Sequence, residues 1–274
     1  MSNLFTIDVE DWFHILDDPA VPNVKYWSSL DSQIENNVDK LLELLHNHGT
    51  RATFFWLGWL AKRHKAVLRR CCDAGHEIAS HGYNHMLPMK VGPESFKHDI
   101  EQAKKTLEDI IGKQVRGFRV AGFGIKKKIN WPFNTIKEAG YEYDSSIFPA
   151  MYNYKMKCGI YIISTEAGPL FEIPLSASSL CGIRLFFFGG GYLRLSPIRL
   201  MQWGIKKLQK TGCPLVVYIH PREIDPDHTR LLLSPFKRFR CYVNLKSTIP
   251  KLQWLCKNYS FVTMSELVDE FLAR

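Results

Sequence analysis

Short apolar runs of strand length alternate with amphipathic stretches of helix length along nearly the whole chain, and no other feature narrows the fold as much. Runs at residues 4–9, 52–57, 76–80, 117–120 and 141–144 read as the earlier strands, and 185–188, 214–219 and 260–263 as the later ones. Residues 31–48 place Ile34, Val38, Leu41, Leu42 and Leu45 at helical spacing and stop at Gly49. Residues 93–111 repeat the pattern and stop at Gly112, and two further helical stretches, 247–258 and 265–272, close the chain. Strands that each lead into a helix build a parallel sheet. No GxGxxG turn opens a first strand–helix unit, so the expected architecture is α/β, a distorted (β/α) barrel of about seven parallel strands rather than a dinucleotide-binding sheet. Without a linker, low-complexity stretch or repeat, residues 1–274 read as one domain. Residues 151–188 are less regular and read as an excursion of loops and hairpins.

Hydrophobic residues at 46% and charged ones at 23% over 274 residues suit a globular chain with a full core. No apolar run reaches the length of a membrane span, about 18 residues or more. Met1-Ser2-Asn3-Leu4-Phe5 has neither a basic n-region nor an apolar h-region, which sets the expectation of a cytoplasmic protein. Of seven cysteines, Cys71 and Cys72 are adjacent, while Cys158, Cys181, Cys213, Cys241 and Cys256 form no CxxC pair; reduced, mostly buried thiols are expected. The 36 basic against 27 acidic residues give a net charge of +9. Lys126-Lys127-Lys128 and Lys237-Arg238-Phe239-Arg240 are the two basic clusters, either solvated faces or attractors of phosphate. No nucleic-acid motif accompanies them, so nucleic acid is not an expected partner.

In a parallel α/β barrel, residues at the C-terminal ends of strands converge on one face. Asp8, Glu10 and Asp11 end the first strand, and His81 and His85 follow the third. Arg119, Asp144 and His220 end three others. Singly each has a plain explanation: Arg119 as an ion-pair partner, Asp144 as a helix cap, His220 as a core histidine. Together they supply the base, acid, arginine and metal ligands of metal-assisted hydrolysis. Two histidines four apart plus one carboxylate leave open positions for water, as a catalytic metal requires.

Thr6-Ile7-Asp8-Val9-Glu10-Asp11, Ser80-His81-Gly82-Tyr83-Asn84-His85, Phe118-Arg119-Val120-Ala121-Gly122, Asp144-Ser145-Ser146 and Ile219-His220-Pro221 resemble, in order, the five motifs of the polysaccharide deacetylases. These are the carbohydrate esterase family 4 proteins with the NodB homology domain. The Asp-Val-Glu-Asp form of the first motif, Gly189-Gly190-Gly191-Tyr192-Leu193-Arg194 and His220-Pro221-Arg222-Glu223-Ile224-Asp225 are similar to the exopolysaccharide-associated subgroup. The resemblance implies Asp8 as general base, Arg119 as its partner, His81 and His85 as metal ligands, His220 as general acid and Asp144 as the group that fixes its imidazole.

Two positions depart from the family pattern. Val9 stands where the second aspartate, a metal ligand, usually follows the base, so the third ligand is Glu10 or Asp11. Strand alternation favours Glu10; Asp11 has the usual side-chain length and reaches if the strand bends at Glu10. Both remain candidates, with a slight preference for Asp11. Ala121 stands where proline is usual, and Gly122 and Gly124 follow, in the loop whose backbone N–H the resemblance makes an oxyanion donor. The implied cofactor is a divalent metal ion, with Zn2+ suited to two histidines and a carboxylate. The implied reaction removes an N-acetyl (or formyl) group from an acetamido sugar linked to nucleotide or lipid phosphate, with the membrane as a peripheral contact. The alternatives are an allantoinase-like or cyclic-imide amidohydrolase and a non-catalytic glycan-binding barrel.

Overall fold

The nine strands of the main sheet, eight of them mutually parallel, curl into a half-barrel with helices packed on its outside. The structure, a computed structural model, describes residues 2–125, 129–149, 159–180 and 183–273. In chain order the strands are β1 (Asn3–Val9), β2 (Thr53–Trp56), β3 (Glu77–Ser80), β4 (Gly117–Phe118), β5 (Tyr143–Asp144), β6 (Tyr161–Thr165), β7 (Gly168–Glu172), β8 (Ser178–Leu180), β9 (Ile183–Leu185), β10 (Val216–Ile219) and β11 (Phe261–Val262). The sheet runs β10-β1-β2-β3-β4-β5-β7-β6, with β11 beside the start of β1. Only β6 runs antiparallel, against β7. Ser176 joins the two sides of the curl: its hydroxyl donates to the Pro214 carbonyl (3.0 Å) and accepts from the Val216 amide (2.7 Å).

Alternation along β1 decides what faces where. Phe5, Ile7 and Val9 pack outward with Phe54, Trp56 and Phe118 against helix residues such as Val38, Leu41, Ile100 and Leu107. Leu4 packs inward with Phe55, Ala79 and Tyr143, and by the same period Thr6 and Asp8 point into the curl. The helices lie close to where periodicity predicts them: Ile34–Asn47, Pro93–Ile111, Thr248–Asn258 and Met264–Leu272. Gly112 ends the second of these in the left-handed region, φ 65°.

Two expectations change. Residues 185–188 do not form a barrel strand; β9 pairs with β8 as a separate hairpin, and Gly189 makes only a single parallel bridge to Tyr218. Phe187 and Phe188 instead bury against the helix Ile198–Lys210, where Gly204 leaves room for both rings. The irregular region also supplies β6 and β7, so part of it belongs to the sheet. Cys71, Cys72, Cys241 and Cys256 are free, but Cys213 is disulfide-bonded. That departs from reduced thiols throughout and removes the cysteines as support for a reducing compartment. Among the described residues no helix is long and apolar enough to cross a membrane.

β4 tolerates no side chain at Gly117, because a Cβ there would lie 2.0 Å from Tyr143 Cζ. Tyr143 is fully buried and its hydroxyl donates to Glu77 (2.8 Å), so the ring has nowhere to move. Gly117→Ala should therefore cost about 1–3 kcal/mol by overpacking. Thermal unfolding tests this; an unchanged midpoint would mean that β4 and β5 pack differently.

Candidate metal and catalytic centre

Arg119 follows β4 and is completely buried, so each of its donors must find an acceptor inside the curl. Nη1 donates to Asp8 Oδ1 (2.6 Å) and Thr6 Oγ1 (2.9 Å), Nε to the Ser145 carbonyl (3.1 Å) and Nη2 to Ser145 Oγ (2.9 Å). The guanidinium also lies 4.1 Å from the Phe55 ring centre. Asp8 is thereby paired and aimed from the end of β1.

Glu10, His81 and His85 meet beside this pair, their ligand atoms all within 4.8 Å of one another and all three residues buried. The chain turns directly after β1, with the Glu10 amide donating back to the Asp8 carbonyl (2.9 Å). His81 leaves β3 with its Nδ1–H donating to the Arg119 carbonyl (2.7 Å), which leaves the Nε2 lone pair facing Glu10 Oε1 at 3.2 Å. His85 Nε2 lies 2.9 Å from the same oxygen and has no hydrogen bond of adequate geometry. His85 sits at φ 57°, where Asp99 receives the Tyr83 and Asn84 amides (2.8 and 2.9 Å) and shapes the loop. One carboxylate oxygen opposed by two buried imidazole nitrogens is a donor set that fits a divalent metal ion. Burial alone would raise the Glu10 pKa, but His85, His220 and Arg222 hold it well below the usual range. Arg222 Nη1 donates to the other oxygen, Oε2, at 2.7 Å.

Asp11, preferred over Glu10 from the sequence, is not part of this group. Its carboxylate accepts from Ser32 Oγ (2.5 Å) and from the Gln33 (3.1 Å) and Trp12 (2.9 Å) amides, and so ties down the start of the helix Ile34–Asn47. The turn at Glu10 sends the following residue outward, and the helix entrance consumes its acceptors.

His220, after β10, brings Nε2 to 3.6 Å from Glu10 Oε1. Its Nδ1 is bonded not to Asp144 but to Glu223 Oε1 (2.6 Å), which also receives the His220 amide (3.2 Å). Glu223 pairs in turn with Arg194, whose other donors bind the Val243 (2.8 Å), Arg240 (2.7 Å) and Cys241 (3.1 Å) carbonyls. Burial pushes the Glu223 carboxyl up, yet Arg194 and His220 hold it down at about 2. Asp144 spends its oxygens on Ser146 (Oγ 2.6 Å, amide 3.2 Å) and on the buried Glu172 carboxyl. Lys126, Lys127 and Lys128 lie outside the described residues.

Residues 21–144 match the family model "Polysaccharide deacetylase", and residues 145–269 match a domain of unknown function, DUF3473. Residues 21–144 are thus similar to a polysaccharide deacetylase domain. The peptidoglycan-N-acetylglucosamine deacetylase of Bacillus cereus is 33% identical over 103 residues, 38% of this chain and 46% of that protein. The chain spans less than half the length of the curated relatives it matches. Among solved structures, a putative polysaccharide deacetylase from Mycobacterium smegmatis superposes with a TM-score of 0.67 at 19% identity, over 98% of this chain and 89% of that one. Puue allantoinase gives 0.62 at 15% identity, over 98% and 89%. Both likenesses concern the fold. The centre draws on both matched stretches and on β1, which precedes them: His81, His85 and Arg119 come from the deacetylase stretch, and Arg194, His220, Arg222 and Glu223 from the DUF3473 stretch.

Arg194, Arg222, Glu223, Glu172 and His14 were not singled out as site residues from sequence. For Glu223 a local signal exists: His220-Pro221-Arg222-Glu223 places proline first in a short helical turn and a glutamate three residues after its cap, as in a capping box. His14 accepts the Asp11 amide on Nδ1 (3.0 Å), lies 6.0 Å ring to ring from His85, and shares with it a cavity of about 730 Å³ also lined by Asp17, Asp18, Trp27 and Lys90.

The two first-strand carboxylates should separate cleanly. Glu10→Ala should weaken Zn2+ binding more than the roughly 10–100-fold seen for groups that only orient ligands. Asp11→Ala should keep the ion but lose about 1 kcal/mol of stability, as a helix cap does. Calorimetric titration and thermal melts read both, and the reverse pattern would make Asp11 the ligand.

Glu172 gives a pH prediction. Burial, then the neighbouring Asp144, raise its pKa well above the usual value, so the folded protein holds a proton that the unfolded chain releases. Its stabilising contribution is complete below the ordinary glutamate pKa and fades as pH rises through the folded value. Glu172→Gln keeps a donor for Asp144 and removes the titration. The variant should match the parent near about pH 4 and melt higher than it toward about pH 9; parallel melting curves across that range would contradict the assignment.

Proposed function

We propose that this chain is a metal-dependent N-deacetylase of the exopolysaccharide-associated kind, removing acetyl (or formyl) from an amino sugar of a surface polysaccharide or its precursor. One observation carries the reading: the Glu10–His81–His85 group lies between an arginine-held carboxylate, Asp8, and a carboxylate-held imidazole, His220.

In this reading Glu10, His81 and His85 would hold a divalent ion, which would supply Lewis acidity toward the acyl oxygen and water. Asp8 accepts the proton of the attacking water as its oxygen adds to the acyl carbon. Arg119 keeps one carboxylate oxygen occupied, so the proton goes to the other. His220, its Nδ1–H fixed on Glu223, carries a proton on Nε2 and donates it to the amide nitrogen as the C–N bond breaks. The products are the free amine and acetate. Glu223 stays ionised beside Arg194 and so keeps the His220 ring in place through its Nδ1–H.

The test is turnover of acetylated amino-sugar oligomers, followed by acetate release, with allantoin and cyclic imides as the competing substrates. The parent should release acetate, while Asp8→Asn and His220→Ala should lose about 10²–10⁴-fold in kcat with metal content retained. Turnover of ureides alone would move the function to amide hydrolysis outside sugars. Near-parental kcat in His220→Ala would remove it from the proton path.

A further inference from the structure

Away from the centre, the segment from Arg230 to Arg240 exposes large apolar side chains that nothing among the described residues covers. Leu232 is 87% exposed, Phe236 76% and Phe239 56%. They stand on or just before the helix Pro235–Tyr242, which is pinned from beneath by Leu233 and Tyr242 in a small buried cluster with Ile15 and Leu245. Phe236 and Phe239 are three apart and share a side of that helix, so they project together. Contiguous exposed apolar surface of this kind marks a contact site.

The charges interleaved with these residues say what kind of contact. Arg230, Lys237, Arg238 and Arg240 fall in the same stretch, and no acidic residue occurs between Asp227 and Glu266. A protein interface closing over Phe236 and Phe239 would have to desolvate Arg238 and Arg240, both exposed. At a bilayer surface the rings enter the acyl boundary while guanidinium and ammonium groups stay among phosphates, so both halves of the pattern are satisfied.

We propose that the 230–240 segment is an interfacial docking surface for an anionic phospholipid bilayer. Its position relative to the cavity gives the docking a consequence. Lys237 Nζ donates to the Asp17 carbonyl, and the Ser234 amide and hydroxyl donate to Asp18 Oδ2 (3.0 and 2.8 Å). Asp17 and Asp18 line the same cavity as His85. A membrane meeting this segment therefore meets the rim of the cavity that leads to the candidate centre. The docking itself does not depend on the deacetylase reading, because its assay measures binding and not turnover.

Flotation of the whole protein with phosphatidylcholine vesicles, with and without phosphatidylglycerol, tests the surface. The protein should float with the anionic vesicles and about tenfold or more less with the neutral ones, and added salt should release it. F236S/F239S and R238E/R240E should each lose about tenfold or more of the binding, one through the apolar half and one through the charged half. All four side chains are exposed, so both variants should melt as the parent does, and a shifted melt would be replaced by the milder L232S. Flotation unaffected by the variants would overturn the proposal. So would an absence of flotation, including the case where the same substitutions abolish a dimer seen by light scattering, which would make this face a self-association surface.

Discussion

Everything at the mouth of the half-barrel depends on burying one guanidinium. Arg119 has no access to water, and an arginine in that position is tolerable only if its donors are all used. Thr6 and Asp8 at the end of β1 and Ser145 beyond β5 supply the acceptors, so the C-terminal ends of strands from separate parts of the sheet are locked together. Its own carbonyl then fixes the tautomer of His81. A single residue thus holds the candidate base, orients a metal-ligand candidate and spans the sheet. Substituting it would leave a buried carboxylate without its partner, a loss of about 3–5 kcal/mol for pairs of this type.

The wall beyond β10 repeats the device with different residues. Arg194 anchors Glu223, Glu223 anchors His220, and Arg222 reaches the free oxygen of Glu10. This wall is built by the DUF3473 stretch, whereas His81, His85 and Arg119 come from the deacetylase stretch. β5 pairs with β7 across the junction between the two, and β1 pairs with β10, so the halves of the centre are held by one hydrogen-bonded sheet. A rigid sheet is the element best able to keep an acid and a base on fixed sides of a substrate.

What could be read from the residues follows the range of the interactions involved. Strand and helix periods are local, and they placed β1, β2, β3 and the helix Pro93–Ile111 closely. Polar groups at strand ends also converge by rule, which brought Asp8, His81, His85, Arg119 and His220 onto one list before any coordinates. The choice between Glu10 and Asp11 depended on a backbone turn after Val9 and on a helix entrance twenty residues downstream, and neither leaves a mark on the first motif. Asp144 was assigned to His220 by resemblance, but the partner is Glu223, three residues along the chain. Its capping-box spacing is legible in the sequence. The β6–β7 hairpin falls in the region expected to hold hairpins, but its place in the main sheet is not legible, because Tyr161–Ile163 and Leu170–Phe171 are consecutive apolar residues without a strand's alternation.

The charge balance of the assembled centre follows from these pairs. Asp8 is matched by Arg119, Glu10 by Arg222 and Glu223 by Arg194, so three buried carboxylates meet two buried guanidinium groups and the partly exposed one of Arg222 before any cation is considered. The two imidazoles add lone pairs but no negative charge. With Oε2 of Glu10 engaged by Arg222, only Oε1 is left to face them. A divalent ion in such a set is held by few donors and is little neutralised by them. It would keep most of its charge for a polarised acyl oxygen, in surroundings where low dielectric strengthens the effect. In the proposed deacetylase reading Arg222 would thus have a part of its own, sharing the Glu10 carboxylate and so lowering the negative charge that an ion at Oε1 would meet.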